Sequence, residues 1–189
     1  ISMGSGKVFI CGGVESMTRV TTGFEPLPYP KPNEENPNLY FSMGITAENV
    51  AKKYHIERRA QQDFAIGSHE KAFQAQSKGN FENEITIINN CSKDEGIRPN
   101  SSHEILDNLK LIFDPKGTVT AATSSPLTDG AATTLICEEQ YAKDNNLNIL
   151  GRIVSTAVQG CSPELMGLGP IGASQKALKR ANLTIKDID

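Results

Sequence analysis

No stretch of this chain approaches the roughly 20 consecutive apolar residues that crossing a bilayer requires, and no secretory apolar region opens it. The expectation is a soluble protein of a reducing compartment, the cytoplasm, without a membrane partner. Basic charge is not in excess either: 19 Lys and Arg face 22 Asp and Glu, for a net charge of -3. That balance excludes a basic field for nucleic acid and a disordered acidic tail alike. Cysteine is sparse. Cys11, Cys91, Cys137 and Cys161 show neither C-x-x-C spacing nor a zinc pattern, and a disulfide scaffold would be denser. Cys11 and Cys137 sit in apolar, strand-like runs and read as buried, inert thiols, while Cys91 and Cys161 fall in loops. His55, His69 and His103 are scattered singly, so no metal site is expected.

What is there suits a globular protein. Apolar residues are 38%, and glycine brings them to about 46%, enough to build a core. A length of 189 residues favours one medium domain or two incomplete ones. Ile1 is not an initiator, ISMGSG reads as the tail of a helix, and LTIKDID stops as a new element is being set up. The expectation is a piece of a longer protein.

Along the chain, Lys7 to Cys11 predicts a buried strand ended by Gly12-Gly13. From Thr21 to Gly44 the composition shifts, with Pro26, Pro28, Pro30, Pro32 and Pro37 excluding helix and disfavouring a central strand. A loop this long is functional or a cover. Thr46 is the expected cap of a helix whose inner face is Ala47, Val50, Ala51 and Tyr54. A longer helix follows from about Glu57 to Lys78, with Ala60, Phe64, Ser68, Ala72 and Ala75 inward and Gly79 ending it. Ile85 to Ile88 predicts a short strand. Ser101 to Glu104 reads as a capping box before the apolar face Ile105, Leu109 and Ile112. Thr133 to Cys137 and Leu150 to Val158 predict strands, and Ala173 to Ala181 a helix with Ala177 and Leu178 inward.

The most informative stretch is Gly117 to Ala132, GTVTAATSSPLTDGAA. Small side chains let a backbone come close to a ligand, and Thr and Ser hydroxyls both donate and accept. No nucleophile, base and orienter converge nearby, so this reads as a binding surface whose reacting partners lie elsewhere. Gly167, Gly169 and Gly172 match G-x-G-x-x-G, but no strand leads directly into them and Pro170 interrupts them. They read as a tight turn feeding a helix. Lys52-Lys53 and Arg58-Arg59 read as a solvated basic face. Arg98 stands alone beside a turn, where it could meet a phosphate from the side.

Six segments, in order, carry a family resemblance: CGGVESM (Cys11 to Met17), SMGITAENVAKKY (Ser42 to Tyr54), DEGIRP (Asp94 to Pro99), the Gly117 run, LGRIVS (Leu150 to Ser155) and MGLGP (Met166 to Pro170). Together they resemble the thiolases, acyl-CoA acyltransferases of fatty acid metabolism. The resemblance implies an α/β protein, part of the five-layered αβαβα thiolase fold with an inserted, mostly helical loop domain. It places residues 1–16 at the end of the N-terminal half and 17–127 in the loop domain. Residues 128–148 then return to the N-terminal half, and 149–189 begin the C-terminal half.

By the same resemblance the loop domain grips coenzyme A, which is substrate rather than cofactor. Met43 is similar to the methionine of the acyl and pantetheine tunnel. Arg98 and Ile105 match positions beside the nucleotide, and Phe113 an aromatic near the adenine. Ala121, Ser125 and Leu127 match the wall along the pantetheine arm, with Ser125 able to hydrogen-bond its amide. Ser42 stands where many members have His, and Thr123 where Asn is common. The implied chemistry is a reversible Claisen condensation. A cysteine thiolate takes the acyl group, a histidine activates it, and a second cysteine moves the proton beside an oxyanion hole. None of the four cysteines matches a catalytic position, so the chain alone is expected to be inactive and the full protein a homodimer or homotetramer. Two alternatives are a ketoacyl-synthase-type condensing enzyme, against which GITAEN and DEGIRP speak, and a non-catalytic coenzyme A-binding or interaction module.

Overall fold

The structure, a computed structural model, describes residues 1–19 and 35–189. The chain folds as two compact units. One comprises Ile1–Pro28, Leu127–Gln159 and Pro170–Asp189, the other Tyr29–Pro126 and Gly160–Gly169. Among the described residues no helix is long and apolar enough to cross a membrane.

The first unit is built on an antiparallel ribbon of β1 (Val8–Glu15) and β2 (Gly130–Cys137), in register from Val8 opposite Cys137 to Glu15 opposite Gly130. β1 does not stop at Gly12-Gly13 as expected, because Thr133 and Ala132 pair across from those glycines. Gly12 also lets the strands close: a Cβ there would lie 2.9 Å from the Thr133 methyl. Polar ties seal both ends of the ribbon. Glu138 donates its backbone N–H to Lys7 O (2.8 Å) at one end. Thr18 donates its N–H (3.0 Å) and hydroxyl (2.6 Å) to the Asp129 carboxylate at the other. Those bonds, the hydroxyl first, hold the Asp129 pKa below the ordinary carboxylate value. Cys11 is exposed and Cys137 half-buried, so neither is the buried thiol that its apolar run predicts.

The short helix α4 (Glu139–Asp144), which follows β2, buries Ala142. Its Glu139 meets Lys143 and Arg152, each at 2.7 Å. Residues 150–158 form no strand: among the described residues no ladder partner is present, and a strand needs one to satisfy its backbone. Their polar groups turn instead to α5 (Gly169–Ala181). Ser155 donates to Ala177 O (2.8 Å), Lys176 to Val158 O (3.0 Å), and Arg180 to Thr156 O. An open apolar groove of about 500 Å³ runs past Ile153, Ala177, Leu178, Leu183 and Ile188. Ala177 and Leu178 lie half-buried on the inner side of α5, as the sequence predicts.

In the second unit, α1 (Met43–Tyr54) begins one turn earlier than expected. Ser42 is its cap, its hydroxyl accepting the Ile45 N–H at 3.4 Å, while Thr46 is buried and donates to Met43 O at 2.8 Å. The inner face is Gly44, Glu48 and Ala51, at i, i+4, i+7, and Tyr54 is 52% exposed. The helix closes at His55, in the left-handed region (φ 54), with a six-to-one bond from Ile56 N–H to Ala51 O. Lys52 and Lys53 occupy the last turn, where the helix dipole favours cations.

α2 (Arg58–Ser77) ends as predicted at Gly79, φ 73, with Asn80 N–H bonded to Ala75 O at 3.1 Å. Its inward side is not the expected one. Gln62 is 1% exposed whereas Phe64 is 83% exposed. Ile85 to Ile88 is not a strand either. Its end makes one isolated bridge, Ile88 to Cys91, across a tight turn whose central Asn89 and Asn90 both have positive φ. The expected capping box does not form, because the cap lies one residue later and the third residue after it is Ile105, which cannot bond back. Ser102 caps α3 (His103–Asp107), and Ser101 instead donates to Arg98 O at 2.8 Å. α3 buries Leu106, leaving Ile105 and Ile112 more than half exposed.

Of the expected proline-rich loop, Pro26, Pro28, Pro30 and Pro32 lie outside the described residues, and Pro37–Tyr40 forms a 3₁₀ turn. A second 3₁₀ segment, Pro163–Leu168, leads into α5 through Gly169, as the turn reading of the glycine motif expects. It packs on α1: Asn49 donates to Glu164 O at 3.1 Å.

Candidate functional site

The small-residue segment after Gly117 is held from α1 by a single side chain. Glu48, 8% exposed, accepts through Oε1 from the N–H groups of Thr118 (2.8 Å) and Val119 (2.7 Å). Its Oε2 accepts from Thr118 N–H (2.9 Å) and the Thr118 hydroxyl (3.1 Å). A buried carboxylate without such donors costs several kcal/mol; here three donors on two successive residues satisfy it. Gly117 is required beside it, because a Cβ there would lie 2.2 Å from Oε1. From α2, Gln61 donates to the Thr118 hydroxyl at 2.8 Å. The chain then turns through a 3₁₀ helix, Ala121–Thr123, closed by the hydroxyls of Thr123 (3.2 Å) and Ser124 (2.9 Å), both donating to Thr120 O. Thr123 thus makes a local turn contact.

Phe113 packs on the first turn of α1. The Phe113 ring lies over Gly44, where a Cβ would meet the ring carbons at 2.2–2.3 Å, and Met43, the preceding residue, is 70% exposed. Ala121 sits in the 3₁₀ turn beside α2, and Ser125, two residues beyond that turn, is exposed. Ile105 is 53% exposed on α3. Arg98 is exposed, and its guanidinium Nη1 donates to Glu95 O (2.6 Å) and Ile97 O (3.3 Å) while its backbone N–H meets His69 Nδ1 (3.2 Å). These six residues belong to the second unit. Leu127, 65% exposed, is the first residue of the next stretch of the first unit.

A polar network braces α2 against α3. Arg58 donates to the carbonyls of Leu106 (2.9 Å), Asp107 (3.2 Å) and Leu109 (2.9 Å), covering the C-terminal end of α3. Gln62 donates to Asp107 Oδ1 (2.9 Å), its own oxygen faces His103 Nδ1 (3.4 Å), and His103 Nε2 meets Asp63 (2.8 Å). Arg58 is therefore a bracing residue rather than the solvated cation that the sequence suggests, and His103, the first residue of α3, joins the same network. Glu48, Gly44 and Gln62 were not singled out from the sequence. Gly44 had a usable signal, since a glycine inside the first turn of a helix marks a close approach. Glu48 and Gln62 had none, because their partners lie 70 and 45 residues away.

The chain matches the family model for the thiolase N-terminal domain over residues 1–140 and that for the thiolase C-terminal domain over residues 147–189. It is 43% identical to a 3-ketoacyl-CoA thiolase of Marinobacter nauticus and 44% identical to one of Shewanella loihica. Each match covers the whole chain and 51% of the relative, so the chain spans about half the length of these curated relatives. Among solved structures it is similar to the dimeric peroxisomal thiolase of Saccharomyces cerevisiae, with a TM-score of 0.92 and 35% identity over 99% of this chain and 50% of that one. It is also similar to human mitochondrial 3-ketoacyl-CoA thiolase in complex with CoA, with a TM-score of 0.86 and 33% identity over 99% and 52%. The expected α/β architecture is thus part of a thiolase fold. With both domain signatures filling nearly all of its length, and with solved thiolases superposing on it at this identity, the chain belongs to the thiolase family.

Proposed function

We propose that the chain supplies coenzyme A-binding surface to an acyl-CoA C-acyltransferase that interconverts 3-ketoacyl-CoA and acetyl-CoA by Claisen chemistry. The observation that carries this reading is the Gly117–Ser125 segment, tied to the helix that begins at Met43. A flexible, amide-bearing arm needs a slot of small residues with few polar anchors, and this segment has that composition. Ala121 and Ser125 form the wall in this proposal, and the Ser125 hydroxyl bonds an amide of the arm. Met43 is assigned to the acyl and pantetheine end, and Phe113, whose ring rests on Gly44, to the face that meets the adenine. Arg98 and Ile105 take the nucleotide end, where Arg98 would exchange its carbonyl partners for phosphate oxygens.

The reacting cysteines and histidine do not belong to these 189 residues in this reading. Thiolysis of acetoacetyl-CoA by the isolated chain is expected to stay at background, and turnover above it would refute the assignment. The test of the surface is calorimetry. Coenzyme A should bind weakly, and an Arg98→Ala, Ser125→Val variant should bind more weakly still; unchanged affinity would remove both residues from the site. The homo-oligomeric state we assign to the full protein, a dimer or tetramer, is supported by the dimeric yeast neighbour. A reducing compartment such as the cytoplasm is supported by four unpaired cysteines.

A further inference from the structure

We infer that Glu48 is the positioning residue of the proposed coenzyme A slot, a spacer whose length fixes how far its two walls stand apart. The inference rests on the function just proposed. One wall, Met43, is carried by the first turn of α1, where the Phe113 ring rests on Gly44, and Glu48 projects from the next turn of that helix. The other wall, Ala121 to Ser125, begins two residues after Val119, the last residue the carboxylate holds. One side chain therefore connects both walls.

The bonding pattern favours a positioning role over simple filling of the interior. Among the described residues Glu48 takes part in no ion pair, so hydrogen bonds alone compensate its burial. An apolar residue of similar volume would avoid that desolvation, but it could not hold consecutive N–H groups. Both oxygens are committed, and they draw Thr118 and Val119 to one side chain at distances of 2.7 to 3.1 Å. Val119 and Thr120 are then buried, and Thr120 O is the acceptor that closes the 3₁₀ turn. Little slack remains between the carboxylate and Ala121. Gly117 fits the same role: any side chain there would displace the carboxylate from these donors.

The test compares ¹⁵N-labelled wild-type, Glu48→Gln, Glu48→Ala and Thr118→Val forms of the full 189-residue chain, by amide spectra and coenzyme A titration. Glutamine keeps one acceptor oxygen but sets an amide against the Thr118 hydroxyl, which already accepts from Gln61. Amides 118–125 should shift while those of α2 and α3 stay put, and Kd should rise by about tenfold, the effect of one charged hydrogen bond. Alanine should abolish exchange protection at 120–125 and raise Kd by about a hundredfold or more. Thr118→Val should act in the same direction and less than glutamine. Should the alanine form fail to fold, the glutamine and valine forms decide. The inference is overturned if amides 121–125 of Glu48→Gln overlay wild type, or if the segment moves and affinity does not. A wild-type chain that takes up no coenzyme A sinks the binding proposal itself. The spacer is then judged by amides 121–125 alone.

Discussion

In the second unit Thr46, Glu48, Gln62 and Thr120 are buried beside Ala51, Leu106 and Val119, whereas in the first Ile10, Val14 and Leu135 stand 81, 82 and 55% exposed on a two-stranded ribbon. Ala142 is the buried hydrophobic side chain of the first unit among the described residues. The contrast shows two ways of fixing a backbone. The second unit closes on itself through long-range polar contacts that tie a helix to a segment remote in sequence, from 41 residues for Gln62 and His103 to 115 for Asn49 and Glu164. The first is fixed by strand register and by ties at the ribbon's ends, while its apolar side chains stay uncovered. Sites that grip a ligand need the former kind of rigidity, since small uncharged walls have no strong contacts of their own.

The sharpest test of this contrast is Gly117→Val. The new side chain would occupy the position of Glu48 Oε1, and moving the carboxylate forfeits bonds to Thr118 and Val119 in a buried place. A loss of about 3–5 kcal/mol is expected, the range for breaking a buried charged network. Residue-resolved hydrogen exchange would read it, with protection falling at 117–125 and in α1 while β1 and β2 keep theirs. Equal loss in both units would show that they share a single cooperative core.

Next in size is Gln62→Ala. It removes a carboxamide 1% exposed, leaving Asp107 Oδ1 and His103 Nδ1 without this partner. A cost of about 1–3 kcal/mol is expected, read as a lower urea midpoint by far-UV circular dichroism. Phe64→Ala, two residues along but 83% exposed, should move the midpoint by no more than about 0.5 kcal/mol. If Phe64 proved the costlier loss, the face of α2 described here would be wrong.

These positions also show what could be read from the sequence. The existence of α1, α2, β1 and β2 was legible because periodicity and end signals are local: Gly79 stops α2 by its own φ, and TTLIC is β-branched enough to be a strand. Which face each helix buries was not legible. Apolar spacing pointed to Tyr54 and Phe64, while the buried faces centre on Glu48 and Gln62, chosen by partners remote in sequence. Strands over Ile85 to Ile88 and Leu150 to Val158 failed for another reason: β-propensity describes a residue that fits a ladder and cannot supply the ladder. The site divides in the same way. The Gly117 segment was legible from its small-residue composition, and Met43 and Phe113 from family resemblance, yet the carboxylate joining that segment to α1 left no local pattern.

A smaller effect should appear in acid, and in the first unit. The folded pKa of Asp129 is depressed, first by the Thr18 hydroxyl and then by the Thr18 N–H. A depressed carboxylate contributes stability that is present above the unfolded value of 3.8 and lost as pH falls through the lower folded value. The Thr18 amide resonance should therefore titrate below pH 3.8, and Thr18→Val should return that midpoint toward the ordinary carboxylate value. A Thr18 amide that ignores acid would mean that the ribbon's end is held some other way.

The smallest expected effect is the most discriminating for the ribbon. Gly12 and Gly13 are neighbours in β1, opposite Thr133 and Ala132. A Cβ on Gly12 would meet the Thr133 methyl at 2.9 Å, whereas one on Gly13 would find nothing within 4 Å. Gly13→Ala should therefore be neutral or stabilise by about 0.5 kcal/mol, because alanine restricts the unfolded chain and the strand can accept it. Gly12→Ala should destabilise by about 1 kcal/mol or more, as the methyl must be pushed aside. Both are read as exchange protection of the β1 and β2 amides. If Gly13→Ala cost as much as Gly12→Ala, that face of the ribbon would be covered in solution, and the difference drawn between the two units would lose its basis there.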